Sequence, residues 1–293
     1  MSQVAYPQSL VSTAWLADHL HDPTIRIVEV IWGDSDGWGA LAYRTGHIPG
    51  AVAWDFATDL QEPARNDIAA QAGIEALLGR AGVTPATTVV VYSGLSNLLA
   101  TFTFWLLKLY GHQDVRLLDG DRRKWLAENR PLSTDAPSVR MTTYHALSPA
   151  SRLRASRSDV LQAIGAPGHL LVDARSADMY GGIDKASAAR GGHIPGAVNL
   201  PALLETHADG SFKSWRTPTV DENGAFKSVE ELQAVFSGLG IDPEQTIITY
   251  CVRGGLSTHA WFVLTQLLGY PDVREYDRSW VEWGNREDTP IEQ

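Results

Sequence analysis

The chain of 293 residues contains one cysteine, Cys251, and the residues around it are of the types that make a thiol reactive. Thr246–Tyr250 is a short run of branched and apolar residues and reads as a buried strand. Val252-Arg253-Gly254-Gly255-Leu256-Ser257 follows, and Thr258 to Leu268 then reads as a helix with Ala260, Trp261, Val263, Leu264, Leu267 and Leu268 as its apolar positions. Strand, glycine-containing loop and helix put Cys251 at the carboxyl end of a strand, where open α/β sheets take their ligands. Loop N–H groups and the helix start would point at the sulfur, favour the thiolate and lower a pKa that is otherwise about 8.5. Arg253 adds positive charge. The chemistry this suits is nucleophilic attack by sulfur, or the docking of an anionic sulfur compound against it. Most lone cysteines are small buried hydrophobes; the loop context is what reverses that expectation here.

A repeat sharpens the reading. Gly46-His47-Ile48-Pro49-Gly50-Ala51-Val52 recurs as Gly192-His193-Ile194-Pro195-Gly196-Ala197-Val198, an offset of 146 (193 − 47). Val89-Val90-Val91-Tyr92 before Ser93 answers Ile247-Ile248-Thr249-Tyr250 before Cys251, an offset of 158 (250 − 92). Leu109–Arg116 answers Leu267–Arg274 and Trp125 answers Trp283 at the same offset. The second copy therefore carries about twelve extra residues, expected within Ser211 to Gly224. Ser93 stands where Cys251 stands, so the fold does not itself require sulfur at that point. His47 and His193 recur together, one of them in the half without sulfur, which favours a structural role for both.

Two similar domains are expected, 1–140 and 155–293, with an extended linker over 131–154 that holds Pro131, Pro137 and Pro149. Ile25–Ile31, His169–Asp173 and Thr88–Tyr92 also read as buried strands. Ser228 and Glu231 form the pattern of a capping box opening a helix towards Leu239, and Ser158 is placed to cap a helix through Ile164. Alternating strands and helices imply an α/β fold: two tandem domains, each a small, mostly parallel sheet flanked by helices.

Composition narrows the function classes. Hydrophobic residues make up 44% and charged residues 20%, as in an ordinary globular protein. A net charge of −10 argues against nucleic acid or an anionic membrane as partner. The first residues have neither a basic nor a strongly apolar segment, no run approaches a membrane span, and one cysteine can form neither an internal disulfide nor a cysteine-based zinc site. The reading is cytoplasmic and monomeric. Gly37-Trp38-Gly39 leads into a segment too rich in glycine and proline for a dinucleotide-binding helix. His19 and His21 share no helix face. The ten tryptophans read as core material.

The Cys251–Ser257 loop, the doubled Gly-His-Ile-Pro-Gly-Ala motif and Tyr276-Asp277-Arg278-Ser279-Trp280-Val281-Glu282-Trp283-Gly284 resemble the tandem-domain rhodanese family, close to the bacterial thiosulfate sulfurtransferases. The resemblance covers nearly the whole chain. It implies two rhodanese folds with only the C-terminal one catalytic, Cys251 as nucleophile, and Cys251–Leu256 as active-site loop. Carried over by position, the substrate-binding residues are Arg190, Arg253, Val252, Gly254, Gly255 and Leu256. Asp173 and Arg175 match positions of mainly structural weight. One departure concerns the donor: Val252 stands where thiosulfate enzymes usually carry Arg and 3-mercaptopyruvate enzymes Gly, while Arg253 leans towards thiosulfate.

The chemistry so implied is ping-pong transfer of sulfur from thiosulfate, through a Cys251 persulfide, to cyanide or a thiol, with no cofactor and no metal. Two alternatives stay open: a 3-mercaptopyruvate sulfurtransferase, and a sulfur-binding or sensing module that does not turn over. A cysteine phosphatase is disfavoured, because Ser257 occupies the place of its phosphate-gripping arginine.

Overall fold

The computed structural model describes residues 3–33, 38–62, 67–206, 208 and 212–293. They form two compact units: Gln8–Ala150 with Glu222–Ala225, and Ser151–Asp221 with Phe226–Gln293 and the stretch that ends at Pro7. The strands of the first unit are β1 (Leu10–Ser12), β2 (Ile25–Ile31), β3 (Val52–Asp55), β4 (Gln61–Glu62), β5 (Asp67–Ile68), β6 (Thr88–Ser93) and β7 (Val115–Asp119). Those of the second are β8 (His169–Asp173), β9 (Val198–Asn199), β10 (Leu203–Thr206), β11 (Phe212–Arg216), β12 (Thr246–Tyr250) and β13 (Val273–Glu275).

The first unit's main sheet is parallel, in the order β1-β7-β6-β2-β3. The second unit's has the order β13-β12-β8-β9 and is parallel too. The two orders are one topology, apart from the outermost strand. Where β1 lies beside Leu117, the second unit has a single bridge between Arg154 and Glu275. Helices cover both faces of such sheets, so the central strands are buried over most of their length and are rich in apolar residues. Val89, Val90, Val91 and Tyr92 are all fully buried. The four strands expected from sequence occur where expected, with β6 one residue longer.

The flanking helices are α1 (Thr13–Asp18), α2 (Trp38–Thr45), α3 (Gln71–Arg80), α4 (Leu98–Leu109), α5 (Asp121–Ala127), α6 (Arg157–Ala163), α7 (Ala177–Tyr180), α8 (Val229–Gly238), α9 (Ser257–Phe262) and α10 (Ser279–Trp283). Ser228 and Glu231 close the capping box of α8. Ser156, not Ser158, caps α6, in a box with Asp159. The reason is spacing: three residues beyond Ser156 stands an aspartate, but three beyond Ser158 stands Leu161, which cannot return the bond. The helix expected over Thr258–Leu268 is α9 followed by a π turn over Val263–Leu267. No helix among the described residues is long and apolar enough to cross a membrane.

Residues 131–150 carry no helix and are extended, but they are tied along the first unit. Thr142 donates its N–H to Gly79 and its hydroxyl to Val83, Tyr144 meets His112 at 2.8 Å, and Leu147 N–H reaches Tyr110. The extra residues of the second copy lie between β9 and α8. The antiparallel ribbon β10–β11 outgrows its two-residue counterpart β4–β5, and 217–227 follow it. Ser211, the expected start, lies outside the described residues.

The recurring turn is structural in both copies. His47 stacks on Tyr43 at 4.0 Å and His193 on Tyr180 at 3.7 Å, and each Nδ1 meets that tyrosine's carbonyl oxygen. Gly192 has φ +116, and a Cβ there would stand 2.2 Å from the Glu292 carbonyl oxygen, so only glycine fits. Trp125 and Trp283 are fully buried and donate their indole N–H to Pro131 and Pro290.

Candidate active site

Cys251 follows the last residue of β12, and the start of α10 is stitched to it. Its N–H donates to Ser279 Oγ at 3.0 Å, its carbonyl accepts from Trp280 N–H at 3.1 Å, and Val281 N–H reaches the Val252 carbonyl at 3.2 Å. The loop then folds back through Gly254, whose φ of +84 is a left-handed conformation that suits glycine. Thr258 N–H closes onto Gly254 and His259 N–H onto Leu256. The N–H groups of Leu256 and Ser257 and the Ser257 hydroxyl act on the Cys251 thiol and favour its anionic form; the hydroxyl also points at Glu275 Oε1 and at the Gly254 carbonyl, 3.3 Å away.

Cys251 is 1% exposed. It was expected at the carboxyl end of a strand, where it stands, and with a lowered pKa, which the structure corrects. Burial pushes the thiol up from its ordinary value, and the Glu275 carboxyl adds to the push. The three donors from Leu256 and Ser257 act in the opposite direction and are outweighed. The cage is nonetheless polar, not an apolar seal, and its donors are of the kind that stabilise an anionic sulfur once formed.

Beneath the sulfur lies a buried carboxyl. Glu275 is fully buried at the end of β13, in register with Thr249 on β12. Its Oε1 accepts from Ser257 Oγ and its Oε2 from Thr249 Oγ1 at 2.5 Å. Burial holds its pKa well above the usual carboxylate range, the two hydroxyls lowering it and Asp277 raising it further.

A buried ion pair stands on the adjacent strand. Asp173 ends β8 and takes Arg175 Nε at 3.0 Å and Nη2 at 2.5 Å; Nη2 also reaches the Gly192 carbonyl at 2.7 Å. The guanidinium lies 4.1 Å from the Trp280 ring centroid. Its Nη1 is buried and has no partner. Burial opposes its charge, but Asp173, Tyr250 and Cys251 favour it and its pKa ends up raised.

The structure gathers the loop residues but treats the two expected arginines differently. Val252, Gly255 and Leu256 are half-buried, Gly254 is buried, and Arg253 is exposed. Arg190 is half-buried, and its Nη atoms bond the Trp283 and Thr289 carbonyls and the Thr289 hydroxyl. Only its buried Nε is without a partner. Its guanidinium thus anchors the segment after α10. The reading from sequence missed Ser257, Thr249, Ser279 and Glu275. A signal was present: at the offset of 158, Thr249, Cys251, Ser257 and Glu275 face Val91, Ser93, Leu99 and Leu117, a polar set against an almost wholly apolar one.

The rhodanese-like domain family matches this chain twice, over residues 12–128 and 156–286. The chain belongs to the rhodanese family. Among curated relatives, a "Sulfur carrier protein TtuD" of Thermus thermophilus is 41% identical over 98% of this rhodanese and 97% of that protein. A "Putative thiosulfate sulfurtransferase" of Mycolicibacterium smegmatis is 41% identical over 97% of each chain. A persulfide form of EanB solved with ergothioneine has a TM-score of 0.87 at 23% identity, over 100% of this chain and 72% of that one. YnjE gives 0.85 at 23% identity, over 99% and 70%. At that identity the two structures speak for the fold. Both rhodanese-like matches contain a parallel sheet of the described topology, and the single cysteine falls within the second.

Proposed function

We propose that this rhodanese is a thiosulfate sulfurtransferase that carries sulfur as a persulfide on Cys251, with the second unit catalytic and the first without a catalytic role of its own. The observation that carries the reading is one buried cysteine at the carboxyl end of β12, in a loop whose Leu256 and Ser257 amides and Ser257 hydroxyl favour its anionic form. A thiolate at Cys251 attacks the outer sulfur of thiosulfate. The sulfur–sulfur bond of the donor breaks, sulfite leaves with the electron pair, and the terminal sulfur of the new persulfide keeps the negative charge. Cyanide or a thiol then removes that sulfur. Val252, Gly254, Gly255 and Leu256 shape the loop, the exposed Arg253 attracts the anionic donor, and Arg190 supports the wall behind it.

The raised thiol makes activity rise with pH over the range in which Cys251 ionises. The deciding experiment is a steady-state comparison of thiosulfate and 3-mercaptopyruvate as donors to cyanide, with mass spectrometry of the intact protein after donor alone. Preferential turnover of thiosulfate, and gain of one sulfur atom that Cys251→Ala lacks, are the expected results. Preference for 3-mercaptopyruvate replaces the donor. Gain of sulfur without turnover to cyanide supports the second reading, a sulfur carrier, which the likeness to TtuD favours.

A further inference from the structure

Glu275 has no ordinary reason to be where it is. A carboxyl at the end of a buried strand loses its hydration, and a fully buried charge without a counter-ion costs several kcal/mol. Its side chain meets two hydroxyls, those of Thr249 and Ser257, and no cation. The charged groups around it are otherwise engaged. Asp277 is held by Arg154 through two bonds of 2.7 and 2.8 Å, Arg175 is held by Asp173, and Arg274 turns to Asp159 at 3.3 Å. Arg253 lies exposed in the loop.

The first unit shows that the fold does not need this arrangement. In the same register, Val91 on β6 faces Leu117 on β7, where Thr249 on β12 faces Glu275 on β13. Leu99 stands in the place of Ser257 and Ser93 in the place of Cys251. The polar set is present as a whole beside the thiol and is replaced as a whole where there is none. The Glu275 carboxyl is bracketed by the Ser257 and Thr249 hydroxyls, and the Ser257 hydroxyl in turn acts on the Cys251 thiol.

We infer that Glu275 is a positioning residue for sulfur transfer: as a neutral carboxylic acid it holds the Ser257 hydroxyl against the Cys251 sulfur, and as a carboxylate it opposes the charge on that sulfur. The inference deepens the sulfurtransferase reading and rests on it for the reaction it serves. A neutral acid has one O–H to give. Thr249 Oγ1 can accept it while turning its own hydrogen to the Arg274 carbonyl 3.5 Å away, or Ser257 Oγ can accept it while donating to sulfur. No proton need move during the step: the thiolate takes the outer sulfur, sulfite departs, and the Ser257 hydroxyl follows the negative charge. Ionisation of Glu275 reverses its effect, because Ser257 is then drawn to the carboxylate and a second negative charge stands across the Ser257 side chain from the first.

The test is the pH profile of Cys251 alkylation by iodoacetamide, read by mass on the intact protein, together with donor kinetics. Glu275→Gln keeps a hydrogen-bonding amide and removes the charge, and should lower the alkylation midpoint by about one pH unit. Thr249→Val with Glu275→Leu copies the pair that the first unit already packs. It should slow alkylation at pH 7.5 by roughly tenfold, the size of one lost hydrogen bond, and lower kcat with KM within about twofold. Superimposable profiles for wild type and Glu275→Gln would overturn the inference, and so would wild-type alkylation in the double variant. If Glu275→Gln does not fold, the double variant decides alone. Alkylation needs no sulfur donor, so a protein that transfers no sulfur but shows these shifts would sink the sulfurtransferase reading and leave the coupling of Glu275 to Cys251 standing.

Discussion

The two units solve one electrostatic problem with different residues. In the first, Glu29 on β2 is in register with Tyr92 on β6; in the second, Asp173 on β8 is in register with Tyr250 on β12. Each acid is buried and each meets one arginine. In the first unit the arginine is Arg122, from α5, which bonds Glu29 at 2.7 Å and also reaches the carbonyls of Ala42 and Gly46. In the second it is Arg175, two residues after its own acid, and it reaches the carbonyl of Gly192. Gly46 and Gly192 are the same position of the repeated turn, so one carbonyl is served from two places in the chain. The position of Arg122 is taken in the second unit by Trp280, on which Arg175 stacks. What persists is the charge balance beneath the turn; the residue that supplies the cation is exchangeable. The side chains of Thr249, Ser257 and Glu275 are the opposite case: all three give way to apolar residues, Val91, Leu99 and Leu117, where Ser93 replaces the cysteine.

The sharpest way to break this comparison is at the two equivalent positions. Cys251→Ala should abolish sulfur transfer, a loss of at least about a thousandfold in kcat/KM, while Ser93→Ala leaves it within about twofold. Adding Ser93→Cys to the Cys251→Ala protein should restore nothing, because Leu99 and Leu117 offer no side-chain hydroxyl or carboxyl there and the Ala100 N–H, 3.4 Å from Ser93 Oγ, is left to act without them; recovered activity would show that the cage is dispensable.

The next largest effect is on stability. Arg175→Met leaves Asp173 buried without its cation and should cost about 3–5 kcal/mol, seen as lost hydrogen-exchange protection across β8 and β12. Arg122→Met should cost less, because burial already holds the Glu29 pKa above the usual range, so it can take a proton instead. Equal losses would mean that the two pairs are equivalent after all.

A third difference lies in acid. His259 on α9 is buried, its Nε2 between the Thr217 and Thr219 hydroxyls at 3.1 and 2.7 Å, and burial pushes its pKa down to about 3. Unfolded, it would take a proton near its ordinary value of about 6.5. Its share of stability is therefore intact above that pH and is lost progressively as the pH falls from 6.5 towards 3. Acid titration followed by exchange at α9 should show this loss, and His259→Gln should flatten it; the first unit has Thr101 at the same position. Arg253→Ala is expected to be mildest, raising KM for thiosulfate by roughly threefold to tenfold with kcat unmoved, as befits one exposed charge.

The strands were legible because a buried parallel strand is a run of mostly branched and apolar residues, and Val89–Tyr92 and Ile247–Tyr250 are such runs, broken only by Thr249. The repeated turn was legible because Gly192 tolerates no Cβ. The cage was legible only at its centre. Glu275 sits 24 residues beyond Cys251 (275 − 251), on another strand, and nothing local marks it as a partner of Ser257; only pairing β12 with β13 brings them together. The direction of the thiol's shift was misjudged for a related reason. The donors of the loop can be read from glycine and helix signals, but the depth of burial that outweighs them is set by α10 and the chain around it. Arg190 shows the same limit, since its bonds go to residues 283 and 289, far away along the chain.

The chain offers a caged sulfur and no second thiol. In the proposed chemistry a loaded Cys251 therefore has nothing within its own molecule to form a disulfide with, and cannot discharge by folding back on itself. Its cargo stays until an outside nucleophile reaches it past Val252 and Leu256. The lifetime of the charged form is then a property of the recipient and of how the loop yields to it, which makes the protein a courier whose delivery is timed at the destination.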